Sequence, residues 1–181
     1  MLIVRGCYGT VAFIYRKKKY EGKVLSLPRL FWSRSMTPTT FFQGAGDILQ
    51  FAIPTVIGLQ DVVPDMHNKA YRNGAIKAMK ICTLILIQRY GCMLIKNIVK
   101  KRRPDGSDLQ SFPSGHFMIG AQCLSRSAYR DGPLSTTAIL TLLGTVSLGL
   151  GRYLPKKHDT VDLAVGGILG ASLGLVWNRW I

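Results

Sequence analysis

The chain has 181 residues, 48% of them hydrophobic, yet it carries 24 Lys and Arg against 9 Asp and Glu, a formal net charge of +15. That length bounds it to one compact domain rather than two. Apolar composition joined to a basic excess leaves two classes, a membrane protein with basic loops or a nucleic-acid binder. The distribution of charge separates them. Pro133 to Gly151 and Leu163 to Asn178 contain no charged residue over 19 and 16 positions, close to the ~20 that a spanning helix needs. The cations are gathered between such segments, so a membrane protein is expected and a nucleic-acid partner is not.

The first 40 residues read as a short apolar stretch followed by a basic linker, RKKKYEGKVLSLPRLFWSRSMTPTT. Residues 2–15 give a helix of only ~21 Å, a half-span or interfacial element, with Phe31 and Trp32 marking the bilayer surface. Arg16 to Lys19 follow at once and no small-residue cleavage site is evident, so a cleaved signal peptide is not expected. Residues 41–181 form the second unit, a helical membrane domain.

Within that unit the next apolar segment runs from Phe41 to about Leu59 and contains Asp47 and Pro54. A third runs from about Ile76 to Val99. Arg89 lies inside it, which predicts an inward-facing arginine. A fourth helix is expected from Ser114 to about Tyr129, a fifth from Pro133 to about Gly151, and a sixth from about Asp159 to Trp177. In the sixth, Gly166, Gly170 and Gly174 recur every four residues, a small-residue face that lets another helix approach closely. The predicted fold is therefore all-α, an integral-membrane bundle of about five to six helices. Cys7, Cys82, Cys92 and Cys123 show no CxxC spacing. They read as small apolar residues, not as a metal site or disulfide frame.

Three polar clusters fall in the connections, and the parity of crossings puts them on one membrane face. The first is KNIVKKRRP, where Lys96 and Arg103 are two helical turns apart and share a face if the helix persists that far. The second is PSGH, residues 113–116. The third is GRYLPKKHDTVD, with Arg152, His158 and Asp162. His158 and Asp162 are i and i+4. A carboxylate there can accept an imidazole N–H and leave the other nitrogen free to attack. Arginine forks match phosphate oxygens, lysine adds a point charge, and the free N–H groups opening a helix at Ser114 to His116 add an anion cradle. Two histidines beside such a pocket divide the labour, one attacking phosphorus and the other protonating the leaving oxygen. Each piece alone has an ordinary explanation as a topogenic basic run, a helix cap or a loop histidine.

Taken together, Lys96-x6-Arg103-Pro104, Pro113-Ser114-Gly115-His116 and Arg152-x5-His158-x3-Asp162 resemble the three-part signature of the type-2 phosphatidic acid phosphatase superfamily. The resemblance implies a metal-independent phosphohydrolase with a helical core and a phosphohistidine intermediate, needing no cofactor. It implies His158 as nucleophile, Asp162 as its orienting carboxylate and His116 as general acid and then base. Lys96, Arg103, Ser114, Gly115 and Arg152 would hold the phosphate. Gly151 departs from the pattern, because the family's third motif begins Ser-Arg. The loss of that hydroxyl predicts fewer phosphate contacts. Phe117 is bulkier than the small residue expected after PSGH and is expected to narrow the mouth or touch a lipid chain.

The loop from Pro104 to Pro113 holds only eight residues, DGSDLQSF, too few for a cap domain, so the site is expected to open toward the interface. That favours a lipid-borne phosphate. The short chain is similar to small bacterial lipid phosphatases, including lipid A 1-phosphatases; phosphatidic acid, phosphatidylglycerophosphate and undecaprenyl diphosphate fit these residues equally. The resemblance implies a bacterial inner-membrane protein with its site on the extracytoplasmic face. Lys and Arg in the loops divide eight to seven between the two sides, which leaves orientation open. Two other readings stand beside the phosphatase: a non-catalytic membrane binder of anionic lipids, and a vanadate-dependent haloperoxidase-like enzyme, against which the short membrane-embedded chain argues.

Overall fold

The computed structural model describes residues 37–181. They form five α-helices and, among the described residues, no strand. These are α1 (Pro38–His67), α2 (Tyr71–Val99), α3 (Gly115–Asp131), α4 (Thr136–Tyr153) and α5 (Thr160–Trp180). The apolar stretch and most of the basic linker expected at the start of the chain lie outside the described residues, and so does Cys7; the last linker residues, Thr37 to Thr40, instead cap and open α1.

Local chemistry sets the helix ends. Thr37 caps α1 through Oγ1, which accepts from the Thr40 N–H, and Pro38 follows where a missing donor is harmless. Ser135 caps α4 in the same way. Asp159 and Asp162 form a reciprocal capping box at the start of α5. α2 ends at Val99, and Lys100 turns left-handed at φ 48°. The expected helical continuation to Arg103 therefore does not occur, and Lys96 and Arg103 do not share a helix face. α1 continues past Leu59 to His67 with Pro54 inside it, a longer helix than the hydrophobic pattern marked.

The packing is built on α3 and α5. A Cβ on Gly166 would stand 2.7 Å from the Ser114 carbonyl oxygen, and Cβ atoms on Gly170 and Gly174 would strike the carbonyl oxygens of Met118 and Gln122. The four-residue glycine repeat thus lets α5 lie against the α3 backbone, as its spacing predicted. Ile57 from α1, Ile81 and Leu84 from α2, Cys123 from α3 and Trp177 from α5 form the buried core cluster. α4 closes the bundle against α1 and α3.

One end of the bundle is tied by a buried carboxylate. Asp61 accepts from Arg126 Nε at 3.1 Å and Nη2 at 2.6 Å, from Arg130 Nη1 at 3.0 Å, and from Trp177 Nε1 at 3.0 Å. This joins α1, α3 and α5. A buried charge is tolerated when its lone pairs are filled in this way.

Two helices, α2 and α5, are long and apolar enough to cross a membrane. The outward faces of the bundle carry Phe51, Ile87, Leu140, Leu143, Ile168 and Leu175, all exposed. Arg89, expected to point inward, is exposed, and its neighbour Gln88 takes the buried position. Cys82 is exposed as well, whereas Cys92 and Cys123 are buried.

Candidate functional site

The three sequence clusters meet at the end of the bundle opposite Asp61. α3 runs from His116 at this end to Arg126 at the other, ten residues or ~15 Å. The loop after α2 is pinned by its own backbone. The Ser111 N–H donates to the Lys101 carbonyl at 3.0 Å, and the Asp105 N–H donates to the Lys156 carbonyl at 3.0 Å. The second bond fastens the loop to the α4–α5 connection, and Lys157 Nζ adds an ion pair to Asp105 at 2.5 Å. That ammonium holds the Asp105 carboxyl well below the usual carboxylate range.

The PSGH turn sits over α2 and α5. The Ser114 N–H donates to the Asp162 carbonyl at 3.0 Å. Gln88 Nε2 donates to the Gly115 carbonyl at 3.3 Å, and the Cys92 thiol faces the Pro113 carbonyl at 3.8 Å. Ser114 occupies the N-cap position of α3 but caps nothing with its side chain. Its hydroxyl is buried without a hydrogen-bond partner among the described residues. An unmated hydroxyl beside the open N–H groups of a helix start is suited to an anion's oxygen.

His158 is buried in the α4–α5 connection, with Nδ1 3.6 Å from Asp162 Oδ2. Burial, followed by the charges of Lys96 and Arg103, pushes its pKa down to about 4, against the opposing pull of Asp162. The ring is therefore neutral at pH 7, the form in which an imidazole nitrogen attacks. Asp162 is wholly buried and well held. It accepts from the Ser111 hydroxyl, from Lys101 Nζ at 2.8 Å and from the Asp159 N–H at 3.1 Å. Lys101 bridges Asp162 and Asp159. Hydrogen bonds to both carboxylates raise its pKa against the desolvation that lowers it.

On the far side of the site, His116 Nε2 touches a terminal nitrogen of Arg152. The same nitrogen of Arg152 donates to Asp47 Oδ1 from α1, and that oxygen lies 3.7 Å from His116 Nε2. Lys96 Nζ donates to the Gln110 carbonyl at 2.5 Å. Arg103 turns back into its own loop, where Nε donates to Asp108 Oδ1 at 2.7 Å.

The eight residues picked out from the sequence thus come together, with two qualifications. Arg103 and Arg152 are each already paired with a carboxylate, and Asp162 holds a capping box and a lysine as well as facing His158. The motifs do not mark Asp47, Lys101 or Ser111. Ser111 and Lys101 could have been suspected from standing beside PSGH and Arg103, but nothing near Asp47 in sequence points to the site.

Phe117 and Gly151 both have packing roles. The half-buried Phe117 ring packs beside Gly149 and Gly167, 3.1 and 3.0 Å from where their Cβ atoms would be. It is a wedge between α4 and α5, the helices that flank the Arg152–His158 connection. Gly151 also has a packing reason, because a Cβ there would strike the Phe42 carbonyl oxygen. The close approach of α1, which brings Asp47 to Arg152, leaves no room for serine. No protein-family model, curated protein or solved structure matches this chain.

Proposed function

We propose that this chain is an integral-membrane lipid phosphatase of the type-2 phosphatidic acid phosphatase kind, hydrolysing a phosphate monoester or diphosphate on a lipid. One observation carries the reading. A buried neutral imidazole, His158, stands 3.6 Å from a carboxylate at the end of the bundle where Lys96, Arg152, His116 and the unmated Ser114 hydroxyl converge. The membrane part of the reading is supported by the two long apolar helices and the exposed aliphatic side chains around the bundle.

In this mechanism His158 Nε2 attacks phosphorus while Nδ1–H is held toward Asp162. The N–P bond forms as the bond to the lipid oxygen breaks, and that oxygen takes a proton from His116. Burial and the Arg152 charge push the His116 pKa down to about 3 in the resting protein, so this proton enters with the phosphate as its monoanion. Water then attacks the phosphohistidine, gives its proton to His116, and releases inorganic phosphate and neutral His158. Lys96, Arg103, Arg152, Ser114 and the Gly115 N–H stabilise the charge on the equatorial oxygens. The His158–Asp162 separation tightens as positive charge grows on the ring, as such contacts do between resting and reacting states. No step calls for a metal. The site is read as extracytoplasmic, in a bacterial inner membrane.

The test is phosphate release by the detergent-purified protein in EDTA from phosphatidic acid, phosphatidylglycerophosphate, undecaprenyl diphosphate and lipid A. His158→Ala runs beside wild type. Release from one lipid that disappears in the variant supports the reading and names the substrate. A second reading, a non-catalytic binder of anionic lipids, is favoured by the carboxylates already on Arg103 and Arg152. Lipid bound equally by both proteins, with no release from either, would establish it instead.

A further inference from the structure

Among the described residues, Asp47 is the one carboxylate that reaches Arg152 and His116 together, and it comes from a helix 105 residues away in sequence. Its side chain is 52% exposed, whereas that of Arg152 is 11% exposed. The carboxylate therefore lies at the mouth with water on one side and the guanidinium behind it. Arg152 Nε is buried and has no hydrogen-bond partner among the described residues, so the guanidinium is only partly used by this contact. A phosphate brings more acceptor oxygens and more charge to an arginine than one carboxylate oxygen does.

We propose that Asp47 occupies the phosphate's place on Arg152 in the resting protein, as a built-in competitor that sets how tightly the site holds phosphate. The proposal rests on the phosphatase reading of the same site. An entering phosphate displaces the carboxylate into the water it already half faces, then takes Arg152 and the Ser114 hydroxyl. When inorganic phosphate leaves, Asp47 returns and takes up the exposed charge. The competition weakens the hold on substrate and on product alike, and so favours turnover over retention of inorganic phosphate. Asp108 on Arg103 is a different case, because it lies five residues away in the same loop and its Oδ1 also accepts the Gln110 N–H at 2.8 Å. It shapes the loop as well as pairing the arginine.

The experiment measures binding of inorganic phosphate and of orthovanadate to the full chain in detergent, for wild type, Asp47→Asn and Asp47→Glu. Asp47→Asn is expected to bind both anions about two- to fivefold more tightly, the range of a partly exposed ion pair, with KM lowered in proportion. Asp47→Glu keeps the charge and is expected to stay near wild type. Asp47→Ser removes the same charge with a smaller side chain and gives the same reading should the asparagine variant not fold. Unchanged or weaker anion binding on loss of the charge overturns the proposal. So does a fall in kcat with anion affinity unmoved, which would make Asp47 a positioning residue for His116. Tighter anion binding without lipid hydrolysis by wild type would leave the competitor standing and remove the phosphatase.

Discussion

Nδ1 of His158 lies 3.6 Å from Oδ2 of Asp162, and that oxygen already accepts from the Ser111 hydroxyl and the Asp159 N–H. One carboxylate therefore closes the capping box of α5 and faces the buried imidazole, whose Nδ1 makes no hydrogen bond among the described residues. Its other oxygen takes Lys101. The arrangement fixes Asp162, so in the proposed reaction it is the imidazole that must move to close the 3.6 Å gap as charge develops on it.

Replacing Asp162 should separate these roles only in part. Asp162→Asn is expected to lower kcat by about 10²- to 10⁴-fold, the scale for an orienting carboxylate. It should also lose ~1 kcal/mol of stability with the cap. Lys101→Met keeps the carboxylate and should leave a larger share of kcat. Steady-state kinetics and thermal unfolding of the two variants, compared in one detergent, check the split.

The depressed His158 pKa has a sign that can be worked out. The folded protein holds the ring neutral down to about pH 4, whereas an unfolded histidine protonates near 6.5. Below 6.5 the unfolded state binds the extra proton, so stability falls with falling pH across that window and levels off near 4. The loss is at most ~3 kcal/mol. Unfolding followed from pH 7 to pH 4 should show this slope in wild type and a shallower one in His158→Gln. Equal slopes would mean the ring is not held neutral by the fold.

Gly151→Ser introduces the serine of the signature that the proposed function invokes, yet it should harm this protein. The new Cβ meets the Phe42 carbonyl and pushes α1 from α4, with an expected loss of about 1–3 kcal/mol and no gain in kcat. Gly170→Val meets the Met118 carbonyl in the closest helix contact of the bundle and should be worse. Melting temperatures of the two variants rank the contacts. A Gly151→Ser protein as stable as wild type and more active would contradict this packing account.

At the other end, Asp61→Ala leaves Arg126, itself buried, without its bidentate partner. The expected loss is about 3–5 kcal/mol. Asp61→Leu combined with Arg126→Met should recover much of it, because no unpaired charge remains. A double-mutant cycle in denaturant measures the coupling.

The helical class, the approximate places of the helices and the glycine face of α5 were legible in the chain. So was the convergence of His116, Arg152, His158 and Asp162. These follow from short-range regularities: apolar run length, cap residues, a four-residue period, and the alternation of helix direction that returns loops to one end. The helix ends were less legible. The left-handed turn at Lys100 is a backbone choice made by the docked loop, and the continuation of α1 to His67 is supported by the Asp61 network rather than by its hydrophobic pattern.

The sequence by itself determined which residues are chemically able to act and roughly which end of the bundle they share, because both depend on residue type and spacing along one chain. The tertiary structure alone decided their partners: Asp47 on Arg152, Asp108 on Arg103, Lys101 and Ser111 on Asp162, and Phe117 packed against two glycines. Those pairings depend on how closely separate helices and loops approach. A charge 105 residues away in sequence becomes a partner of Arg152 only when Gly151 allows α1 to lie against α4.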